Sequence, residues 1–220
     1  MERVVIFGNG SVAAMAHYEL DRDSAYEVTA FTVDRDLCSG EPFHGKPLVP
    51  FDEVSSRYPP GAHRMLVAVG YVDMNRLRAA RCAEARATGY RLISHVSPRA
   101  ITWSEITTGE NTFISAGAVV HPSASIGHDV FVGACCVLAH DCVIGDHCFF
   151  SDSVTLAGGV TVGDHCFFGT GAVIRNRVTI GRECVVGAGA VILADADERG
   201  VYMGRNAEKL PIPSDRLNLA

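Results

Sequence analysis

The sequence predicts a small α/β domain followed by a parallel β-helix, and two periodic features carry that reading. From Val96 to Asp197 a six-residue frame runs without insertion. Its first position is large and apolar in fifteen of seventeen repeats, from Val96 through Ile114, Val132, Phe150 and Phe168 to Ile192. Its fifth position is Ala, Val or Cys in fifteen of seventeen, the exceptions being Ile106 and Thr112. Six matches neither a helical nor a simple strand period. It fits a chain that turns a corner every six residues, three corners making one coil of about 18 residues. The second feature is an 18-residue echo: Gly145-Asp146-His147-Cys148-Phe149-Phe150 recurs as Gly163-Asp164-His165-Cys166-Phe167-Phe168. Each residue should then lie over its copy at the ~4.8 Å strand spacing.

Residues 1–95 read as the α/β domain, half of a Rossmann-like fold. Arg3–Phe7 is an apolar strand closed by Gly8-Asn9-Gly10-Ser11, and a helical pattern covers Val12–Leu20. Val28–Val33 is a second strand ending at Asp34-Arg35-Asp36. A loop with Pro42, Pro47, Pro50, Pro59 and Pro60 leads to a third strand, Met65–Val69, and Met74–Thr88 is Ala- and Arg-rich helix ending at Gly89. Tyr90–Ile93 reads as a fourth strand. Strands alternating with helices imply a parallel sheet. Residues 96–197 form the β-helix, and 198–220 a tail expected to pack on the last coil.

The chain of 220 residues carries a net charge of −6 and a pI near 5.8, which argues against nucleic-acid and anionic-membrane surfaces. No apolar run approaches a membrane span, and the first residues lack a signal-peptide pattern, so the cytoplasm is expected. Five of the eight cysteines (Cys136, Cys142, Cys148, Cys166, Cys184) occupy fifth positions, where they serve as small hydrophobes rather than disulfides or metal ligands.

Two clusters carry chemistry. Gly8-x-Gly10-x-x-Ala13 between strand and helix, with Asp34 further on, fits a loop that lets backbone approach a phosphate. A dinucleotide or a nucleotide-sugar diphosphate would both suit it. In the β-helix, His140 occupies an outward third position, and the residue one coil above is Gly158, which has no side chain. An imidazole beside such a gap suits a general base near neutral pH. Asp141 can orient it if the hexad bends there. His147 and His165 stack as repeat copies and are expected to form a solvated ladder rather than a metal pair.

The uninterrupted hexapeptide coil after an α/β domain resembles the left-handed β-helix acyltransferases. The similarity is greatest to the branch of sialic acid O-acetyltransferases and nucleotide-amino-sugar N-acetyltransferases of the bacillosamine-pathway type. It extends over the first glycine loop, Val67-Ala68-Val69-Gly70, Asn75-Arg76, His140-Asp141-Cys142-Val143-Ile144-Gly145 and Val201-Tyr202-Met203-Gly204-Arg205-Asn206-Ala207. The resemblance implies left-handed coils, acetyl-CoA as co-substrate without a metal, a homotrimer, and active sites between neighbouring β-helices. It places catalysis on His140 and Asp141. CoA contacts fall on Phe149, Gly158, Gly169 and Thr170, and nucleotide-sugar contacts on Gly8, Gly10, Ser11, Asp34 and Arg35. The family's first loop commonly reads Gly-Gly-His, where this chain has Gly10-Ser11-Val12. N-acetylation of a nucleotide-linked deoxy-amino sugar for surface glycan assembly is the expected reaction. Sugar O-acetylation, a metal-dependent enzyme of the γ-carbonic-anhydrase type and a non-catalytic trimeric scaffold are the alternatives.

Overall fold

The computed structural model describes residues 1–103, 106–209, 211 and 216. The N-terminal part builds one parallel four-stranded sheet in the order β3-β2-β1-β4. Its elements run β1 (Glu2–Phe7), α1 (Ser11–Asp23), β2 (Tyr26–Val33), β3 (Leu48–Pro50), α2 (Phe51–Arg57), β4 (His63–Val67) and α3 (Arg76–Ala87). The continuous apolar runs of β1, β2 and β4 are buried on both faces, as a parallel sheet covered by helices requires.

Two expectations change. Tyr90–Ile93 is not a strand: Leu92 makes only a lone parallel bridge to Met65, and Tyr90 turns its hydroxyl to donate to the Tyr58 carbonyl at 2.6 Å. At the opposite edge, beside β2, the sheet gains β3 from inside the proline-rich stretch. Three residues flanked by Pro47 and ended by Pro50 are too short to show alternation. Proline is tolerated there because an edge strand has one row of unpaired groups.

From His95 onward the chain winds through two-residue strands that stack into three parallel sheets. Up to Ile192 the second residue of each strand is the first position of the hexad and turns toward the coil interior. Ile114, Phe150 and Phe168 from one sheet and Leu138, Leu156 and Ile174 from another are fully buried in one shared core, with the Phe150 and Phe168 rings stacked at 4.6 Å. The two polar first positions, Thr102 and Thr108, fall on the first coil, where they are exposed beside an end that no further coil covers. Corners form because every fourth hexad position from Asn111 to Gly189 has positive φ. Gly serves some of these corners, and Asn, Asp, Ser and His, among others, serve the rest, most of them held by coil-to-coil hydrogen bonds.

The three outer faces differ. One is aromatic, with Phe113, Phe131, Phe149 and Phe167 in a stack of successive ring spacings 5.7, 4.5 and 6.0 Å. A second is apolar, presenting Ile101, Val119, Val137, Thr155, Val173 and Val191; the third presents mainly Thr and Ser. The aromatic face is covered by the N-terminal sheet and α1: Phe113, Phe131 and Phe149 share one buried cluster with Ile6, Leu20, Leu66 and Ile93.

Polar groups lock the two parts together. Asn111, a corner residue, exchanges hydrogen bonds with both backbone groups of Val67 at the end of β4 (2.8 and 3.0 Å). Asp129, the corner one coil above, is fully buried and pairs with Arg78 of α3 at 2.7 Å. Arg78 also donates to the carbonyls of Asp129 (2.8 Å) and Cys148 (3.1 Å), where the aromatic face meets its corner. Burial alone would raise the Asp129 carboxyl, but Arg78 and hydrogen bonds from His147 and Asn111 outweigh it and hold it below the usual carboxylate range.

The histidine pair is therefore no solvated ladder. The rings do stack, at 4.7 Å. His147 Nδ1, however, donates to Asp129 Oδ2 at 2.9 Å, and His165 Nδ1 donates to the Met74 carbonyl at 3.1 Å. Outward position on the coil did not mean solvent, because α3 and its leading loop lie over that corner.

Candidate active site

Two separate places hold the candidate residues. At the first, His140 sits at the corner between the apolar and polar faces. Its neighbour Asp141 has φ of 58°, and this left-handed bend brings two sequence-adjacent side chains to the same side. His140 Nδ1 and Asp141 Oδ2 lie 2.8 Å apart. With Nδ1 donating to the carboxylate, the proton-free nitrogen is Nε2. A Cβ on Gly158 would lie 2.4 Å from that Nε2, so the imidazole rests directly over the glycine backbone. Both His140 and Asp141 are about two-thirds exposed, at the corner beside the apolar face.

The second place is a cleft of about 290 Å³ between the start of α1 and the aromatic face. Ser11, Val12 and Met15 form one side and Tyr71, Phe131 and Phe149 another. Ser151, Asp152 and Thr170, at the corner between the aromatic and apolar faces, close the third. Asp152 and Thr170 hold the same hexad position as His140, on a different corner, so they too project outward.

Of the residues expected to contact the sugar nucleotide, Ser11 lines this cleft, and Gly8 and Gly10 shape it. Gly8 has φ of 129° and donates its N–H to the Thr32 carbonyl at 2.8 Å; a Cβ there would meet the Ala68 carbonyl oxygen at 2.6 Å. Gly10 precedes the first turn of α1 without a side-chain cap, which leaves backbone donors free for a ligand anion. Asp34 and Arg35 are already engaged: Asp34 accepts from Arg81 at 2.8 Å, while Arg35 bridges Asp52 (2.7 Å) and Glu53 (2.9 Å). Of the four residues expected to hold CoA, three gather at this cleft and Gly158 alone lies apart within one chain. Gly158 lies with His140, Phe149 is buried in the cleft wall, and Gly169 and Thr170 occupy the corner by the cleft.

Sequence reasoning missed Tyr71, Met15 and Asp152. The last was accessible, since Asp152 is the 18-residue copy below Thr170. Tyr71 carries no periodic mark. Among the described residues, no group of three or more His, Cys, Asp or Glu side chains converges as for a metal ion.

Comparison with known proteins places this geometry. The bacterial transferase hexapeptide (six repeats) pattern matches residues 105–140, 125–158, 141–176 and 159–194. PerB from Caulobacter crescentus, solved with CoA and GDP-perosamine, is 31% identical over 91% of this chain and 93% of its own, with a TM-score of 0.83. The chain belongs to the left-handed β-helix, hexapeptide-repeat acyltransferases. The acetyltransferase domain of PglB from Neisseria gonorrhoeae, in complex with acetyl coenzyme A, is 25% identical over 95% of this chain and 99% of its own, with a TM-score of 0.83. WeeI from Acinetobacter baumannii shares the fold at 22% identity and a TM-score of 0.79, covering 91% of this chain and 96% of its own. No curated protein sequence matches the chain significantly.

Proposed function

We propose that this acyltransferase moves the acetyl group of acetyl-CoA to the amino group of a nucleotide-linked amino sugar, in a site completed between copies of the chain. The observation that carries the reading is the His140 Nε2 held bare over Gly158 by Asp141. It stands in a chain that matches PerB nearly end to end. The amine nitrogen attacks the thioester carbonyl, Nε2 takes the proton the amine sheds, and the CoA thiolate leaves and is reprotonated. Asp141 keeps Nδ1 protonated, so Nε2 stays the acceptor, and it stabilises the imidazolium formed.

The position of the apolar face supports a trimer. It is flanked on one side by the His140 corner and on the other by the corner carrying Asp152 and Thr170. A three-fold ring that buries this face sets the His140 corner of one copy against the cleft of the next. That arrangement also reunites Gly158 with Gly169 and Thr170 around one CoA. The α1 N-terminus and the glycine loop would take the diphosphate of the sugar nucleotide. No helix among the described residues is long and apolar enough to cross a membrane. We place the enzyme in the cytoplasm, where its eight free cysteines stay reduced.

The test is product mass after incubation with acetyl-CoA and a panel of nucleotide amino sugars. One acetyl group on the amine is expected. Acetylation only at a hydroxyl, or none with any amine acceptor, would overturn the reading.

A further inference from the structure

One wall of the cleft hangs on backbone that local preference would not produce. Between β4 and α3, Asp73, Met74 and Asn75 have φ of 48°, 50° and 63°. Three successive non-glycine residues in the left-handed region are sterically costly, and such strain persists only where the surroundings over-determine it. Here they do. The fully buried Asn75 donates Nδ2 to the Cys166 carbonyl at 3.3 Å and accepts from Arg78 at 3.4 Å. His165 donates to the Met74 carbonyl at 3.1 Å, and Arg76 pairs with Glu183 at 3.0 Å. The coils thus pin this loop from both sides of Asn75.

What the pinned loop delivers to the cleft is Tyr71. Its ring lies 4.5 Å from Phe167 and 5.1 Å from Phe149, resting on the top of the aromatic stack. Yet the residue remains 55% exposed. A large aromatic ring backed by two phenylalanines and open on its other side is a platform, and protein interior has not been spent to cover it. The rest of this chain's share of the cleft is apolar at Val12 and Met15 and carries one carboxylate, Asp152, with no Lys, Arg or His. Asp152 Oδ1 accepts from the Ala134 N–H at 2.9 Å, which fixes the carboxylate and leaves its second oxygen for a ligand.

We propose that Tyr71 is a specificity-determining residue: its exposed face stacks on the sugar ring of the acceptor, while Asp152 receives the sugar's ammonium or hydroxyl groups. An apolar, aromatic wall with a single negative charge takes a pyranose with an apolar face and a cationic substituent, and rejects an acidic, carboxylate-bearing sugar. The inference rests on the nucleotide-amino-sugar reading and narrows it to non-acidic acceptors.

The experiment compares wild type, Tyr71→Phe, Tyr71→Ala and Asp152→Asn in steady-state kinetics with the best-used nucleotide amino sugar. Thermal melting confirms that each variant is folded. Tyr71→Ala is expected to raise KM for the sugar nucleotide about tenfold, leaving KM for acetyl-CoA unchanged, while Tyr71→Phe keeps near-normal values. Asp152→Asn is expected to raise the same KM and to narrow the preference for amino over acidic sugar nucleotides. An unchanged sugar KM in folded Tyr71→Ala, or a shift in the acetyl-CoA KM instead, would overturn the assignment. If wild type acetylates no amino sugar, the acceptor reading has failed by itself. Calorimetry then decides the platform: Tyr71→Ala must weaken binding of sugar nucleotides but not of the free nucleoside diphosphate, and equal binding of both refutes it.

Discussion

Replacing Gly158 by alanine displaces the His140 ring while leaving its chemistry intact. A Cβ at this position would lie 2.4 Å from Nε2, 2.5 Å from Cε1 and 3.1 Å from Cδ2 of His140. All three distances are below or near the limit of van der Waals contact, so the ring must leave its seat. Gly158 does not have positive φ, and alanine is therefore compatible with the backbone. The displaced side chain is already about two-thirds exposed and can swing into solvent. The cost in stability should therefore stay within about 0.5–1 kcal/mol. The cost in chemistry should be large. Proton transfer by a placed base contributes roughly 10²–10⁴-fold, or about 2.7–5.4 kcal/mol of barrier at ~1.36 kcal/mol per tenfold. The assay is kcat by thiol release from acetyl-CoA, for Gly158→Ala, His140→Ala and the double variant. Each single variant should fall by about 10²–10⁴. The double variant should be little worse than either, because both remove one function. Asp141→Asn should cost less, since it keeps the base and weakens only its orientation. Near-normal kcat in Gly158→Ala alongside an inactive His140→Ala would refute the claim that the seat over Gly158 is the working position.

Other expectations follow from the interface and the coil. Asp129→Ala strands the buried Arg78 charge and should lower unfolding free energy by about 3–5 kcal/mol in denaturant titrations, with His147→Ala costing about 1–3 kcal/mol. Because the folded Asp129 carboxyl sits below its unfolded value, its contribution is complete above about pH 4 and lost as pH falls further. The acid limb of the stability profile should therefore be steeper in wild type than in Asp129→Ala. Val137→Glu with Val173→Glu, both outward on the apolar face, should turn trimers into folded, inactive monomers in mass photometry; a surviving trimer would place the interface elsewhere. Denatured without reductant and alkylated, the protein should carry eight labels, since all eight cysteines are free. In the native state burial pushes the Cys136 thiol up to about 12, so it should react far more slowly than exposed Cys135.

The β-helix and the place of His140 beside Gly158 were legible in the sequence because their causes repeat locally. One apolar residue per six fills the interior, and one coil of 18 residues sets Gly158 over His140, so their contact follows from counting. The corner chemistry was partly legible: Asn111, Ser123, Asp129 and Asp141 are residue types that tolerate positive φ, and they recur every six or twelve residues. What the sequence could not show is what the α/β domain does when it lies on the coil. That packing covers the aromatic face, turns Asp129 from a surface corner into a buried anchor for Arg78, and gives His147 and His165 partners no period predicts. It also holds Asp73–Asn75 in a conformation their own propensities oppose, and so sets Tyr71 in the cleft. Local periodicity fixes which way a side chain points from its own coil. Whether that direction leads to water, to a buried charge or to a substrate is decided by a segment dozens of residues away.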